Sequence, residues 1–172
     1  MKRTITVVLA GLLVALLAMP AAASSEKSNV GLGVSIGVSF PEGDRIDEVP
    51  VDDWAASFNW GFYVNIPLIY TFHITPMAEL YKFGNKNATD IALGFKFIIP
   101  AWVLDLYIGF VPGLTTVGEI TAPHVGGVGG CAFNLFSNLD LFIEAKYKVM
   151  FNLEENTNIT VFHANAGILY HF

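Results

Sequence analysis

The sequence predicts an all-β fold, an eight-stranded antiparallel up-and-down transmembrane β-barrel. Three observations lead to this prediction. Segments in which apolar residues recur at every second position follow one another along the chain, as in strands. Hydrophobic residues make up 53% of the 172 residues and charged residues only 14%, yet no stretch after residue 23 is long and apolar enough for a spanning helix. A closed barrel is the other structure that satisfies the backbone in lipid.

Residues 1–23 have the pattern of a secretory signal peptide. Lys2 and Arg3 precede an apolar segment and a run of alanines that ends at Ala23, and we expect cleavage there. An N-terminal membrane anchor is the alternative, but the apolar segment is shorter than the about 20 residues that a spanning helix needs. We therefore expect residues 24–172 to form the barrel as one domain.

Charge and cysteine content exclude several classes of function. The formal net charge is −6, so the chain has no basic surface for a nucleic acid, and we expect no such partner. Cys131 is the only cysteine, which rules out a disulfide within the chain. Because no acid or base adjoins it in sequence, we interpret Cys131 as a small strand residue. We predict no metal site and no cofactor.

The first half of the chain contains four predicted strands. The first alternates Val, Leu, Ile and Phe with Gly and Ser, and an acidic loop follows it. The second is long and places aromatic residues at even positions, with Pro67 predicting a bulge because proline cannot donate to a ladder. Turns are expected at residues 73–76 and 84–87. The strands are predicted at residues 30–40, 57–72, 77–83 and 89–98.

The second half of the chain also contains four predicted strands. The sixth strand is so rich in glycine that its two faces are not distinguished. The seventh alternates most clearly, and the eighth ends the chain on Phe172 with one aromatic and one polar face. A long loop is expected at residues 112–123 and a tight turn near Ser137. The strands are predicted at residues 102–111, 124–135, 139–151 and 158–172.

The connections differ in length between the two rims of the predicted barrel. An even number of strands places both termini on one rim. The connections after strands two, four and six are short, whereas those after one, three, five and seven are longer. This is the outer-membrane pattern, and it predicts short periplasmic turns and longer extracellular loops.

The aromatic residues decide which face of each strand points outward. A lipocalin-like soluble barrel, the alternative, would bury the apolar set, but an eight-stranded interior is too narrow for so many rings. We therefore place the aromatic face in lipid, with Lys82 as its charged exception near the extracellular rim. Glu79 joins the interior if strand three follows the same alternation. The predicted interior polar network comprises Asp90, Lys96, Asp105, Asp140, Glu144, Lys146, Lys148, His163 and Asn165.

Three segments resemble the small outer-membrane β-barrels of Gram-negative bacteria, the OmpA/OmpX-like group: residues 32–38 (LGVSIGV), 142–147 (FIEAKY) and 166–172 (AGILYHF). The resemblance implies a monomer in the bacterial outer membrane that contacts outer-membrane lipid and lipopolysaccharide. It also implies that the terminal strand is read by the barrel-assembly machinery. The matching assembly-signal residues are Ile168, Tyr170 and Phe172.

The expected function is a structural or surface-interaction role without enzymatic activity. No serine and histidine lie on the same face of one strand, as a hydrolytic site within a strand would need. A narrow channel or carrier for small apolar molecules is one alternative, since interior glycines leave some room. A lipid A-modifying barrel enzyme is another. The acidic first loop, which carries Trp54, is a candidate for adhesion.

Overall fold

The computed structural model describes residues 29–43, 45–46, 49–50, 55–84, 86–101, 104–152 and 157–172. The predicted signal peptide, Trp102 and Trp54 lie outside these residues. Every regular element within them is a strand. The strands are β1 (Gly31–Glu42), β2 (Arg45–Ile46), β3 (Val49–Pro50), β4 (Ser57–Ile69), β5 (Phe72–Phe83), β6 (Lys86–Ala101), β7 (Leu104–Phe110), β8 (Gly113–Val117), β9 (Ile120–Phe136), β10 (Leu139–Asn152) and β11 (Thr157–His171).

Antiparallel ladders join these strands into a closed ring, which confirms the predicted barrel. β1 pairs with β4 on one side and with β11 on the other, and β10 pairs with both β9 and β11. β7 and β8 both pair with β6 and β9, so they are consecutive parts of one spanning strand. The ring therefore contains eight spanning strands. β2 and β3 form a separate small hairpin within the first loop.

The predicted long loop at residues 112–123 is wrong, because the fifth spanning strand continues through Pro112. Val111 exchanges two backbone hydrogen bonds with Gly126, and the Leu93 N–H donates to the Pro112 carbonyl at 2.9 Å. Proline removes one donor from the ladder but leaves its carbonyl available. The strand then turns at residues 118–119, where Gly118 has a φ of 60°, a conformation that glycine adopts readily.

The predicted turn at residues 73–76 is also wrong. The chain turns at residues 70–71, and β5 includes Pro76. The β4–β5 pairs pass from Tyr63–Met77 to Ile66–Ile74 without a pair at Pro76, so the ladder tolerates proline by an interruption there. The expected irregularity at Pro67 is confirmed, since the register shifts between Pro67 and Ile69.

The two rims differ mainly in one loop. The terminal rim carries the turns at residues 70–71 and 137–138 and both ends of the ring, where Gly31 pairs with His171. The loop rim carries residues 43–56, the long first loop. Its connections at residues 84–85 and 118–119 are as short as those of the terminal rim. The expectation of longer loops on this rim therefore holds for the first loop and fails for these two.

Side chains alternate between an apolar outer face and an inward face, as predicted for every strand that was assigned. The sixth spanning strand, β9, is now assigned as well: His124 and Val128 are buried, whereas Val125 is exposed. Cys131 shares the outer face, because it pairs with Ile143. Among the described residues, no helix is long and apolar enough to cross a membrane.

Candidate functional site

The polar interior of the barrel is the candidate site, and a chain of buried ion pairs forms its centre. Alternate positions of β10 direct Glu144, Lys146 and Lys148 to one face, because successive strand side chains point to opposite sides. β5 contributes one acid, and β6 contributes one acid and one lysine. In order, the ion-pair chain comprises Lys96, Glu144, Lys146, Glu79, Lys148 and Asp90.

Contacts within the ion-pair chain are close and alternate in sign. Lys96 Nζ lies 2.5 Å from Glu144 Oε2, and Lys146 Nζ lies 3.1 Å from Glu144 Oε1. Lys146 also pairs with Glu79. Lys148 Nζ bridges Glu79 Oε2 at 2.8 Å and Asp90 Oδ2 at 3.0 Å. Three cations therefore face three anions, so the charges in the chain balance.

Neutral donors complete the environment of the two central acids. The Tyr63 hydroxyl and the Asn165 amide donate to Glu79 Oε1 at 2.8 and 2.9 Å. The Tyr107 hydroxyl donates to Glu144 Oε2 at 3.1 Å. Such bonds offset part of the cost of removing charges from water, which Coulomb attraction alone does not always repay.

The far end of the ion-pair chain is completed by β8 and β9. Thr115 Oγ1 donates to Asp90 Oδ2 at 2.8 Å, and His124 Nε2 lies 3.2 Å from the same oxygen. Both side chains are buried. Asp90 therefore has partners on β8, β9 and β10, which ties three strands to β6 through one carboxylate.

The predicted network residues divide into three groups. Asp90, Lys96, Glu144, Lys146, Lys148 and Asn165 meet in or beside the ion-pair chain. His163 lies with Ser39 and Asn59 on the β11–β1–β4 side. Asp105 and Asp140 lie apart, near the terminal rim, where the Asp140 carboxylate lies 2.9 Å from His171 Nε2. Sequence alternation placed these residues inward but did not separate the groups.

Sequence reasoning missed several members of the interior, although signals for some were present. Tyr63 and Tyr107 are aromatic residues at inward positions of strands whose other rings point outward, and such exceptions indicate a polar contact for the hydroxyl. The glycine-rich sequence of β9 does not indicate which way His124 points. Thr115 lies in the predicted loop at residues 112–123, where no alternation assigns it an inward position.

A small cavity opens beside the ion-pair chain toward the terminal rim. Its volume is about 70 Å³. Its lining combines polar side chains, among them Lys96, Asp140 and His171, with apolar side chains such as Phe142 and Leu169. Sites for drug-sized ligands are about 300–1,000 Å³, whereas one water molecule occupies about 30 Å³ of liquid. The cavity therefore suits a few waters rather than an organic ligand.

Two apolar clusters pack against the polar centre inside the barrel. The cluster nearer the loop rim includes Phe83, Val117 and Ile159. The other includes Val128 and Phe142 and lies beside the ion-pair chain, because Val128 pairs with Lys146. Side chains of both clusters and of the ion-pair chain thus fill much of the described interior, as expected for an eight-stranded barrel.

Ser39 and His163 form a serine–histidine contact that the sequence did not reveal, because the two residues lie on different strands. They face each other in the β1–β11 register, and Ser39 Oγ lies 2.7 Å from His163 Nδ1. Asn59 Nδ2 donates to Ser39 Oγ at 2.8 Å. Both residues are completely buried. Within the described residues, no carboxylate hydrogen-bonds to His163, so the third member of a hydrolytic triad is lacking.

Metal binding lacks a site in the part of the chain that the structure describes, since no group of three or more His, Cys, Asp and Glu side chains is arranged to hold an ion. The predicted assembly-signal residues Ile168, Tyr170 and Phe172 are all exposed on the outer face. They lie along the seam with β1, where Ile168 pairs with Val34. Phe172 N–H donates to the Val30 carbonyl at 3.1 Å.

This combination of a closed eight-stranded ring, an apolar outer face and a charged interior is the fold of the small outer-membrane β-barrels. Comparison with solved structures agrees. The chain is similar to Neisserial surface protein A (NspA), with a TM-score of 0.70 and 13% identity over 83% of this chain and 97% of that one. It is also similar to the outer membrane protein OprG from Pseudomonas aeruginosa, with a TM-score of 0.51 and 9% identity over 84% and 98%.

Sequence comparison adds no closer relationship. No protein-family model matches the chain. No curated protein matches it either. At such low identity, the structural similarity establishes the fold and leaves the activity to be argued from the residues.

Proposed function

We propose that this protein is a monomeric, closed barrel of the bacterial outer membrane with a structural or surface-interaction role and no catalytic activity. The proposal rests on how side chains fill the interior of the barrel. A neutral chain of six buried charged residues and the two apolar clusters packed against it occupy the space through which a solute would pass. The outer-membrane lipids, lipopolysaccharide and the barrel-assembly machinery are its proposed partners.

The proposal is tested by planar-bilayer recording on refolded protein whose folding has been verified by heat-modifiable gel mobility. We expect the unboiled protein to migrate differently from the boiled protein and to produce no stable conductance steps. The channel alternative requires stable steps from the heat-modifiable form that are absent after boiling. A protein that is soluble and monomeric without detergent would contradict the membrane assignment.

A carrier role for small apolar molecules has less support. The interior cavity has apolar lining residues such as Phe142 and Leu169, but its volume of about 70 Å³ is well below the about 300–1,000 Å³ of sites for drug-sized ligands. Liposome flux of a small apolar dye, compared with protein-free liposomes, tests this alternative. We expect equal rates.

The Ser39–His163 contact is the observation that favours a second candidate, a lipid A-modifying enzyme. A nucleophile must reach the scissile carbonyl, and complete burial of both side chains argues against that access. Mass analysis of lipid A from cells with the wild-type protein, the Ser39→Ala variant or no protein tests the enzyme. We expect identical lipid A in all three, whereas a modification present with the wild-type protein and absent both in Ser39→Ala and without the protein would support catalysis.

A further inference from the structure

The barrel wall opens between β4 and β5 at the loop rim. β4 begins at Ser57 and β5 extends to Phe83, but their ladder begins only at Trp60–Leu80. On their other sides the same strands remain paired, β4 with β1 as far as Ser57 and β5 with β6 as far as Phe83. The first three residues of β4 and the last three residues of β5 are therefore not paired with each other, and this interval forms a wedge in the wall.

Among the described residues, one hydrogen bond to a side chain spans this wedge. The Lys82 backbone N–H donates to Ser57 Oγ at 3.2 Å. The facing edges of β4 and β5 are otherwise not joined to each other by ladder pairs in this interval. In a membrane, backbone groups without a partner are costly because lipid chains offer none. An occupant with hydrogen-bonding groups at this depth would therefore be favoured over plain hydrocarbon.

A groove of about 730 Å³ occupies the wedge. Its apolar wall is formed by Phe58, Trp60 and Leu80, and Lys82 lies at its polar edge. Phe58 and Trp60 are both exposed. Such a volume lies within the range of sites that hold organic ligands, and it is about ten times that of the interior cavity.

The groove lies across the boundary between polar and apolar outer surface. On β6, the outward side chains change from Asn87 and Thr89 to Ile91 and Leu93. Asn87 and Thr89 line the groove, and aromatic residues such as Trp60 are typical of the membrane interface. An occupant must therefore be amphipathic, with its polar part toward Lys82 and its apolar part toward Trp60.

Lys82 determines the charge of that occupant. It is exposed, and its ammonium group has no ion-pair partner among the described residues. A lysine in this position binds phosphate as a point charge. Outer-membrane barrels have short periplasmic turns and longer extracellular loops, so the rim with the long first loop lies in the external leaflet, which consists of phosphorylated, multiply acylated glycolipid.

We propose that the groove between β4, β5 and β6 binds one phosphorylated acylated glycolipid of the external leaflet, the lipid A part of lipopolysaccharide. An acyl chain packs against Phe58, Trp60 and Leu80, and a phosphate pairs with Lys82. Sugar hydroxyl and amide groups meet the open strand edges. This inference rests on the proposed function, because it requires the barrel to reside in the outer membrane with the loop rim outward.

The charge part of the proposal is tested with Lys82→Gln. The substitution removes the cation but keeps the backbone N–H that bonds to Ser57. Lys86→Gln, on β6 at the same rim, removes an equal charge from a residue that does not line the groove and serves as the control. Native mass spectrometry of the folded, detergent-solubilised protein measures the binding of bisphosphorylated lipid A and of its dephosphorylated form.

We expect Lys82→Gln to weaken binding of bisphosphorylated lipid A about tenfold, which corresponds to about 1.4 kcal/mol, and to leave binding of the dephosphorylated form unchanged. Lys86→Gln should match the wild type for both. Equal affinities of Lys82→Gln and Lys86→Gln for bisphosphorylated lipid A would overturn the proposal.

The shape part is tested with Thr89→Trp, which places a large ring in the groove. Thr121→Trp, an exposed threonine at the same rim on β9, is the matched control. We expect Thr89→Trp to reduce binding of both lipid forms and Thr121→Trp to reduce neither. Equal binding by the two variants would overturn the groove as the site.

Experiments on the wild-type protein distinguish failure of the proposed function from failure of the lipid A site. Absence of heat-modifiable mobility or of outer-membrane fractionation would overturn the proposed function and, with it, the lipid A site in the groove. A wild-type protein that fractionates with the outer membrane but binds bisphosphorylated and dephosphorylated lipid A equally would overturn the lipid A site alone.

Discussion

Glu79 illustrates how single residues hold this barrel together. Its carboxylate accepts hydrogen bonds from β4 through Tyr63, from β10 through Lys148 and from β11 through Asn165. Glu79 is completely buried, and a buried carboxylate is costly unless it is paired and hydrogen-bonded. Glu79 therefore connects strands on opposite sides of the lumen. We expect the loss of this one charge to lower the stability of the whole ring.

The first prediction concerns Glu79→Gln. The substitution leaves Lys146 and Lys148 with less negative charge to face, and breaking a buried pair typically costs about 3–5 kcal/mol. Urea unfolding in detergent measures the change in the free energy of unfolding. Glu42→Gln is the control, because Glu42 is exposed at the end of β1 and should change stability by less than about 0.5 kcal/mol. Equal effects of the two variants would contradict the ion-pair chain.

The second prediction concerns two glycines that differ in the space around them. A Cβ on Gly37 would lie 2.2 Å from the Ala164 carbonyl oxygen and 2.2 Å from Asn165 Oδ1, whereas a Cβ on Gly127 would have nothing within 4 Å. We expect Gly37→Ala to destabilise the barrel by about 1–3 kcal/mol, the usual cost of overpacking. Gly127→Ala should be close to neutral in the same unfolding assay. The reverse order would show that the β1–β11 seam is looser than described.

At the scale of elements, the sequence predicted the alternating faces better than the strand ends. Strict alternation in β1 and β10 determined which side chains point inward, because a shift by one residue would reverse the whole strand. The ends near Pro76 and Pro112 were wrong, since proline was taken to stop a strand, although it removes only one donor. The faces of β9 could not be predicted, because glycine has no side chain whose polarity marks a face.

The candidate site was predictable only in part, for a related reason. Alternation along each strand places Glu144, Lys146 and Lys148 inward, but contacts depend on the register between strands. The Ser39–His163 contact joins residues 124 positions apart, and no periodic pattern encodes that distance. The splayed β4–β5 edge likewise depends on where a ladder begins.

The third prediction concerns β11 as the assembly signal. We expect deletion of Phe172 to lower the heat-modifiable fraction of the protein in outer membranes, while refolding of the purified variant in detergent remains close to that of the wild type. Phe136→Ala is the matched control, because Phe136 is 67% exposed and Phe172 is 66% exposed. A defect of equal size in both variants would indicate loss of an aromatic surface rather than of a signal.

At the scale of the whole molecule, the barrel reverses the usual arrangement of a globular protein. Many large aliphatic and aromatic side chains are exposed around the ring, and Lys146, Lys148 and Glu144 are buried. In water the exposed surface would promote association, since large apolar patches mark interaction surfaces. In a bilayer it faces hydrocarbon, and the interior charges are shielded from lipid by the wall.

The fourth prediction tests this central claim by nuclear Overhauser effects between lipid acyl-chain protons and the methyl groups of deuterated, methyl-labelled protein in nanodiscs. Ile36, Ile91 and Ile108 are 61%, 65% and 64% exposed, whereas Ile159 and Val161 are 1% and 0% exposed. We predict lipid cross-peaks at the first three residues and none at the last two. Cross-peaks at Ile159 and Val161, or water contacts in place of lipid contacts at Ile36, Ile91 and Ile108, would contradict the account.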